Sequence, residues 1–337
     1  MAGQDLHLGD TLGCTFIGVL FALLLYGCSC AQTLYYYQEY PKDTLFVKSL
    51  VFILWLLDTS RTSLDVAFLW VWTVTSHGDV TGLARLPNTF TAEFFLASLT
   101  VFIVQCYFIH TIWTLLEERW FQIPLTFLMV ILSAVSFVGG VVTVYRINLN
   151  TVATVAVVDA TIPASIQTVT AFVADMYITL SLCCILWGQR TGFKRTETLL
   201  HTLTIYAIHR GIFTGLIQLA HFTTYISTIH TDTLYWMLWH IPGSKIYVNS
   251  LLAVLNVRHH LREAIYPDQT DFSVDAFPLD TVQTGNVTVQ SRRSRGGSRA
   301  NASHTHITFT RSVIRDDDRE DPEPGPDEDL SRKLSSL

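Results

Sequence analysis

Seven runs of mainly apolar residues, each longer than 20, leave this 337-residue chain few folds to choose from. They lie at about 11–34, 48–73, 91–116, 123–145, 161–187, 199–226 and 234–257. About 20 apolar residues span the hydrocarbon of a bilayer as a helix. In lipid only helices and closed barrels satisfy every backbone hydrogen bond, and runs this long lack the ten-residue alternation of a barrel strand. The expected fold class is all-α, a multi-pass transmembrane bundle of seven helices over residues 1–262. Composition agrees, because 15% charged residues is well below the quarter usual in soluble domains.

Short polar connections separate the runs, and their Lys and Arg residues set an orientation. Arg85 and Arg146 lie on one side; Lys42, Lys48, Arg119, Arg190, Lys194, Arg195, Arg258 and Arg262 lie on the other. The excess places the N-terminus outside and the C-terminus in the cytoplasm, with the plasma membrane as the expected location. Tyr35, Tyr36, Tyr37 and Tyr40, with Trp113, Trp120 and Trp187, sit at run ends as interfacial aromatics do. The first run is expected to remain a span, since residues 1–10 carry Asp5 and Asp10 but no basic residue of a signal peptide.

From residue 263 the chain turns polar, with a basic block, "SRRSRGGSR", followed by an acidic one, "RDDDREDPEPGPDED". Such a segment buries too little apolar surface to offset its ordering entropy, so 263–337 reads as a disordered cytoplasmic tail. Ser294, within "RRSR", is a possible phosphosite. The short Arg cluster beside an acidic block gives no reason to expect nucleic acid as a partner. All six cysteines fall within apolar runs, which argues against an exterior disulfide framework and for small hydrophobes on apolar helices.

The second run contains "LLDTSRTSLDVAF", which puts three charges where a span should be greasy. Spacings of three and four place Asp58, Arg61 and Asp65 on one helix face. About a dozen apolar residues favour insertion of this run by roughly 4–7 kcal/mol, whereas three central charges oppose it by roughly 8–10 kcal/mol. The run therefore spans only if this face turns inward, with Arg61 paired to the two flanking carboxylates. Other mid-run polar groups are Gln105, His110, Asp175, His209, Arg210, Lys245 and Asn249. Asp58, Asp65 and Asp175 balance Arg61, Arg210 and Lys245, as an interior network requires. The fourth run has almost no strong polar group and is expected to be the most lipid-exposed. The network either lines a cavity for a ligand, ion or proton, or fixes helix packing through ion pairs. Residues alone leave both readings open.

"LGCTFIGVLFALLLYGCSCAQTLYYYQEYPKD" followed by "KSLVFILWLLDTSRT", together with "FIVQCYFIHTIW", "TGFKRTETLL" and "KIYVNSLLAVLNVRHHLR", resembles a large family of fungal, mainly basidiomycete, seven-helix membrane proteins. That family is known only as a domain of unknown function. The resemblance covers residues 8–262 and implies the seven-helix fold, with Asp58, Lys245, Asn249, Ser250 and Asn256 as shared positions. Arg61 departs from the His often found there, and Thr111 from a basic residue. The resemblance implies no activity, ligand or cofactor.

No H-E-x-x-H, G-x-S-x-G or P-loop spacing occurs, so no enzyme activity and no cofactor are expected. The leading reading is a receptor or sensor-like protein, with membrane lipids, a small-molecule ligand and a cytoplasmic signalling partner reached through loops and tail. The alternative is a transporter or channel for a small solute, ion or proton. A membrane enzyme ranks last.

Overall fold

Among the described residues helix is the only regular structure of any length, as apolar runs without β-alternation dictate. The computed structural model describes residues 9–265 other than 77–78, 80–81, 83–84, 117–118, 151, 189–193 and 232, with side chains described except at 194–200 and 258–265. The expected tail from 266 onward, including Ser294, lies outside the described residues. The helices are α1 (Cys14–Glu39), α2 (Leu45–Trp70), α3 (Asn88–Leu115), α4 (Gln122–Leu149), α5 (Ala153–Asp159), α6 (Thr161–Gly188), α7 (Lys194–Thr228) and α8 (Met237–Ile265). Single π-helical turns precede α1 and extend α2. The short α5 falls in a stretch read from sequence as a connection.

Four helices are long and apolar enough to cross a membrane: α1 with its preceding turn, α3, α4 and α6. The chain is thus an integral membrane protein in composition and architecture. Large apolar side chains face outward along these helices, with Leu24 at 69%, Phe127 at 65% and Leu180 at 64% exposure. The inward face of α4 is mostly small or polar instead: Thr126, Ser133, Ser136, Gly139, Gly140 and Thr143, with Met129 and Ile147 as its larger apolar members. The expected exposure of this helix follows from that pattern: α4 and α1 are the least buried of the four.

The long helices form a closed ring, each packed on the next, with α8 closing on α1; α3 and α8 also touch across the interior. Close approach needs small residues. A Cβ on Gly140 would lie 2.5 Å from Ser98 Oγ and 2.8 Å from Ser98 Cβ. Gly140→Ala should therefore cost about 1–3 kcal/mol of stability by forcing α4 off α3. Equilibrium unfolding in mixed micelles reads this directly; an unchanged midpoint would show that the contact has slack.

Buried apolar residues divide into two clusters at opposite ends. One gathers Val19, Phe68, Phe90, Tyr225 and Trp236 near the N-terminal end. The other gathers Leu54, Phe108, Ile178, Leu186 and Leu251 near the opposite end. Tyr36 and Tyr40 belong to the second cluster; they stack with ring centroids 5.2 Å apart and are buried. They are core residues rather than the interfacial anchors expected from their place at a run end, because the i, i+4 pair lies on the face of α1 that meets α8. Trp120 and Trp187 are exposed as expected.

The N-terminal end is closed over. Arg85 and Val152 form an antiparallel bridge between two connections, and the Trp72 indole donates to Arg85 O at 3.2 Å. Asp10 accepts from Leu234 N at 2.9 Å and from the Tyr235 hydroxyl at 2.7 Å.

Candidate functional site: a polar layer between two apolar halves

The two apolar clusters are separated by a layer of buried polar and charged side chains. Asp58, Arg61 and Asp65 are all buried on one face of α2, as their spacing requires. Their partners differ from the expected ones. Arg61 does not hydrogen-bond to its flanking carboxylates; its guanidinium pairs with Glu93 on α3. Asp58 Oδ1 pairs with Lys245 Nζ on α8 at 2.8 Å, and the same ammonium donates to Asp58 O at 3.0 Å and to Thr62 Oγ1. His240 Nε2 lies 3.2 Å from Glu93 Oε2. Asp65 Oδ2 has no hydrogen-bond partner among the described residues. Arg61 is long enough to reach across the bundle, and a carboxylate on a facing helix offers it better geometry than neighbours on its own turn.

Asn249, one turn beyond Lys245, donates to Lys245 O, Leu25 O and Ser29 Oγ at 2.9–3.0 Å. It fastens the charged part of α8 to α1.

A second cluster lies across the layer. Asp175 on α6 accepts from Arg210 on α7 at 3.1 Å, from Gln105 on α3 at 3.2 Å, from Gln218 on α7 at 3.3 Å and from the Tyr247 hydroxyl on α8. The Arg210 guanidinium also sits 3.7 Å from the centroid of the Phe108 ring. Four donors satisfy this carboxylate, which is what burial of a charge demands, and the Phe108 ring gives the arginine a cation–π contact. Residues from four helices meet at one anion.

Between the clusters lies a cavity of about 90 Å³, bounded by α3, α4, α6, α7 and α8. His240 and Tyr247 both line it, so each charged cluster reaches its wall. A smaller cavity of about 20 Å³ continues toward the N-terminal end, with Phe94, Thr168 and His221 shared between the two. His221 and His240 have ring centroids 5.2 Å apart, and His240 stacks on Phe94 at 4.9 Å.

The hydrogen-bond pattern fixes which way the wall amides point. Gln105 and Gln218 turn their Nε2 groups toward Asp175, and Gln167 donates to Ser98 Oγ at 2.8 Å. The Oε1 atoms of all three are buried without a hydrogen-bond partner among the described residues. Ser133 Oγ, Ser244 Oγ and His221 Nε2 are in the same condition. Six residues of the cavity lining thus each carry a buried polar atom without a hydrogen-bond partner among the described residues.

Residues 171–260 match the model of a family of unknown function (DUF6534). No curated protein matches the chain. The matched segment runs from within α6 through most of α8 and contains Asp175, Arg210, Gln218, His240, Lys245 and Tyr247. This family-like part therefore supplies both ends of the polar layer, whereas α2 and α3 bring Asp58, Arg61 and Glu93 to it.

Of the residues singled out from sequence, Asp58, Arg61, Asp65, Gln105, Asp175, Arg210, Lys245 and Asn249 lie in or against the layer. His110 and His209 do not. Both are exposed on the outer face of their helices. Arg210 faces inward, and one residue is a 100° step, so His209 is carried out of the interior; His110 is displaced the same way beside buried Ile109 and Thr111. Glu93, Gln218, His221, His240 and Tyr247 were not singled out. Glu93 stands at the start of its apolar run and reads as an interfacial residue. Gln218 and His221 carry a legible signal, since Arg210, Thr214, Gln218, His221 and Tyr225 recur at spacings of four, four, three and four, a single polar stripe along α7.

Among the described residues no three His, Cys, Asp or Glu side chains converge as a metal site would require. The arrangement can hold waters, a proton or a small polar species at mid-depth, and it couples five helices through whatever sits there.

Proposed function

We propose that this protein is a receptor or sensor of the plasma membrane, with seven spans, its N-terminus outside and its C-terminal tail in the cytoplasm. The observation that carries this reading is the cavity at mid-depth with two interhelical ion clusters at its wall. A change in what occupies it alters the partners of α3, α6, α7 and α8 together, which is how a local event shifts a bundle between packings. The distribution of Lys and Arg, eight on one side against two on the other, supports the orientation. Asp58 and Arg61 of α2, Arg210 of α7 and Lys245 of α8 suit spanning helices because each is paired inside the bundle. The apolar cluster between the cavity and the cytoplasmic end, with Leu54, Phe108, Ile112 and Leu251 at its centre, favours signalling over conduction. The natural partners are membrane lipids, a small polar ligand and a cytoplasmic protein that reads the loops and tail; no enzyme chemistry is proposed.

The second reading, a transporter or channel, is favoured by one feature. A volume of about 90 Å³ is ion-sized and well below the roughly 300–1,000 Å³ of ordinary small-molecule pockets. Flux measurements separate the two. Proteoliposomes containing the full chain should carry sodium, potassium and protons no faster than protein-free vesicles. Flux above that background, abolished by Asp175→Asn, would overturn the receptor reading in favour of transport.

A further inference from the structure

Helices α3 and α4 run antiparallel and part toward one end. Around Ser98 and Gly140 they leave no room even for a Cβ on the glycine, which would lie 2.5 Å from Ser98 Oγ. Beyond the stacked rings of Phe102 and Phe137, 4.8 Å apart, a cleft of about 440 Å³ opens between the two helices on the outer surface of the bundle. Phe102, Cys106, His110 and Trp113 line it from α3 at helical spacings of four, four and three, and Phe127 and Val130 line it from α4. From Phe102 to Trp113 the cleft is about 16 Å long at roughly 1.5 Å per residue, about half of the roughly 30 Å hydrocarbon thickness. Trp113, Phe127 and Val130 are exposed on two helices apolar enough to span, so lipid of one leaflet is what covers the cleft.

We propose that this cleft is a binding site for a sterol, a flat neutral lipid with a single hydroxyl. The volume lies within the roughly 300–1,000 Å³ of small-molecule pockets. Among the described residues no Lys, Arg, Asp or Glu lines the cleft, so it offers no partner to the headgroup of an anionic phospholipid, which basic side chains recognise. Thr126 donates its hydroxyl to Gln122 O at 2.7 Å, and Ser133 Oγ is buried out of reach. His110 and Cys106 are the exposed polar side chains that remain in the lining, and of the two only the imidazole is a strong hydrogen-bonding group. His110 meets the Phe46 ring edge-on, with centroids 5.5 Å apart, and that neighbour carries no hydrogen-bonding atom. A neutral imidazole has one donor and one acceptor, and a sterol hydroxyl offers the matching pair. A saturated acyl chain offers neither and would leave the imidazole bare in hydrocarbon, which is costly. The depth agrees as well. His110 lies one turn inside Trp113, near the end of α3, so the hydroxyl sits close to the interface and the rings extend inward past Cys106 to Phe102, flanked by Phe127. The site is separate from the polar cavity, and it stands whether the protein senses or transports.

The test is photolabelling of the full chain in phosphatidylcholine nanodiscs by a diazirine sterol that keeps its hydroxyl. Labelling should saturate with sterol content, and the adducts should map to residues 102–113 and 123–134, the two walls of the cleft. Unlabelled cholesterol should displace the probe, and cholesterol methyl ether should do so less well. His110→Phe keeps a ring but removes the hydrogen bond, and should weaken binding by about three- to tenfold. Val130→Trp fills the cleft and should abolish saturable labelling, whereas Val138→Trp, exposed on the same helix but outside the lining, should leave it unchanged. Labelling that rises in proportion to sterol content, or adducts outside the cleft, would overturn the proposal. So would equal displacement by cholesterol and its methyl ether, the signature of a slot for any apolar chain; that comparison uses the unaltered protein and needs no variant to fold. Unchanged affinity in His110→Phe or Val130→Trp would overturn it as well.

Discussion

Lys245→Met should destabilise the protein by about 3–5 kcal/mol, because it leaves the Asp58 carboxylate buried and without its cation. The side chains are of similar length, so the loss measures charge rather than volume. Lys245 Nζ also serves Asp58 O and Thr62 Oγ1, so three acceptors lose a donor together. Adding Asp58→Leu should restore most of the stability, since a buried ion pair replaced by apolar groups of similar size is often neutral or better. Unfolding free energies in mixed micelles for the two single variants and the double give the coupling. Additive losses would show that the pair is solvated and that the layer is not dry.

Asp175→Leu should cost as much or more, and its recovery should be poorer. Arg210, Gln105, Gln218 and Tyr247 all direct donors at this one carboxylate, so its removal costs four groups an acceptor in a buried site, although Gln105 keeps Ala171 O at 3.4 Å and Gln218 keeps the Tyr247 hydroxyl. The double variant Asp175→Leu/Arg210→Met removes the stranded charge but leaves the two amides and the phenol without their acceptor. It should regain only part of the loss, about 1–3 kcal/mol short of the original protein. The two clusters therefore separate by their double variants: near-complete rescue at Asp58–Lys245, incomplete rescue at Asp175–Arg210. Equal rescue at both would mean that the Gln105 and Gln218 amides find other partners, and with them that the orientation of the cavity wall is not fixed.

Much of the polar layer was legible in the sequence for one reason. A charge in an apolar run must face the interior, and its helical phase follows from the spacing of its neighbours. That reasoning places Asp58, Arg61, Asp65, Asp175, Arg210 and Lys245 inside without any coordinates. It fails for His110 and His209, because a single histidine in an apolar run carries no phase of its own. It also fails for Glu93, which a run boundary disguises as an interfacial residue although α3 begins five residues earlier, at Asn88. The balance of three against three was incomplete for that reason, since Glu93 adds a fourth buried carboxylate.

Pairing was beyond the reach of the sequence. The expectation that Arg61 bonds to Asp58 and Asp65 rests on neighbours within one helix, the only distances a sequence supplies. Its actual partner is 32 positions away, and that of Asp58 is 187. Which helices face each other depends on how small inward faces such as Ser133, Ser136, Gly140 and Thr143 let backbones approach, and that is a property of surfaces in contact.

The sequence by itself determined that the chain is an all-α membrane protein and that its charges turn inward, because lipid tolerates neither open backbone nor unpaired charge. Only the tertiary structure decided which charges pair, which amide oxygens are left over, and that both charged clusters reach the wall of one cavity. Those facts depend on distances between helices far apart in the chain, and a one-dimensional pattern does not contain them.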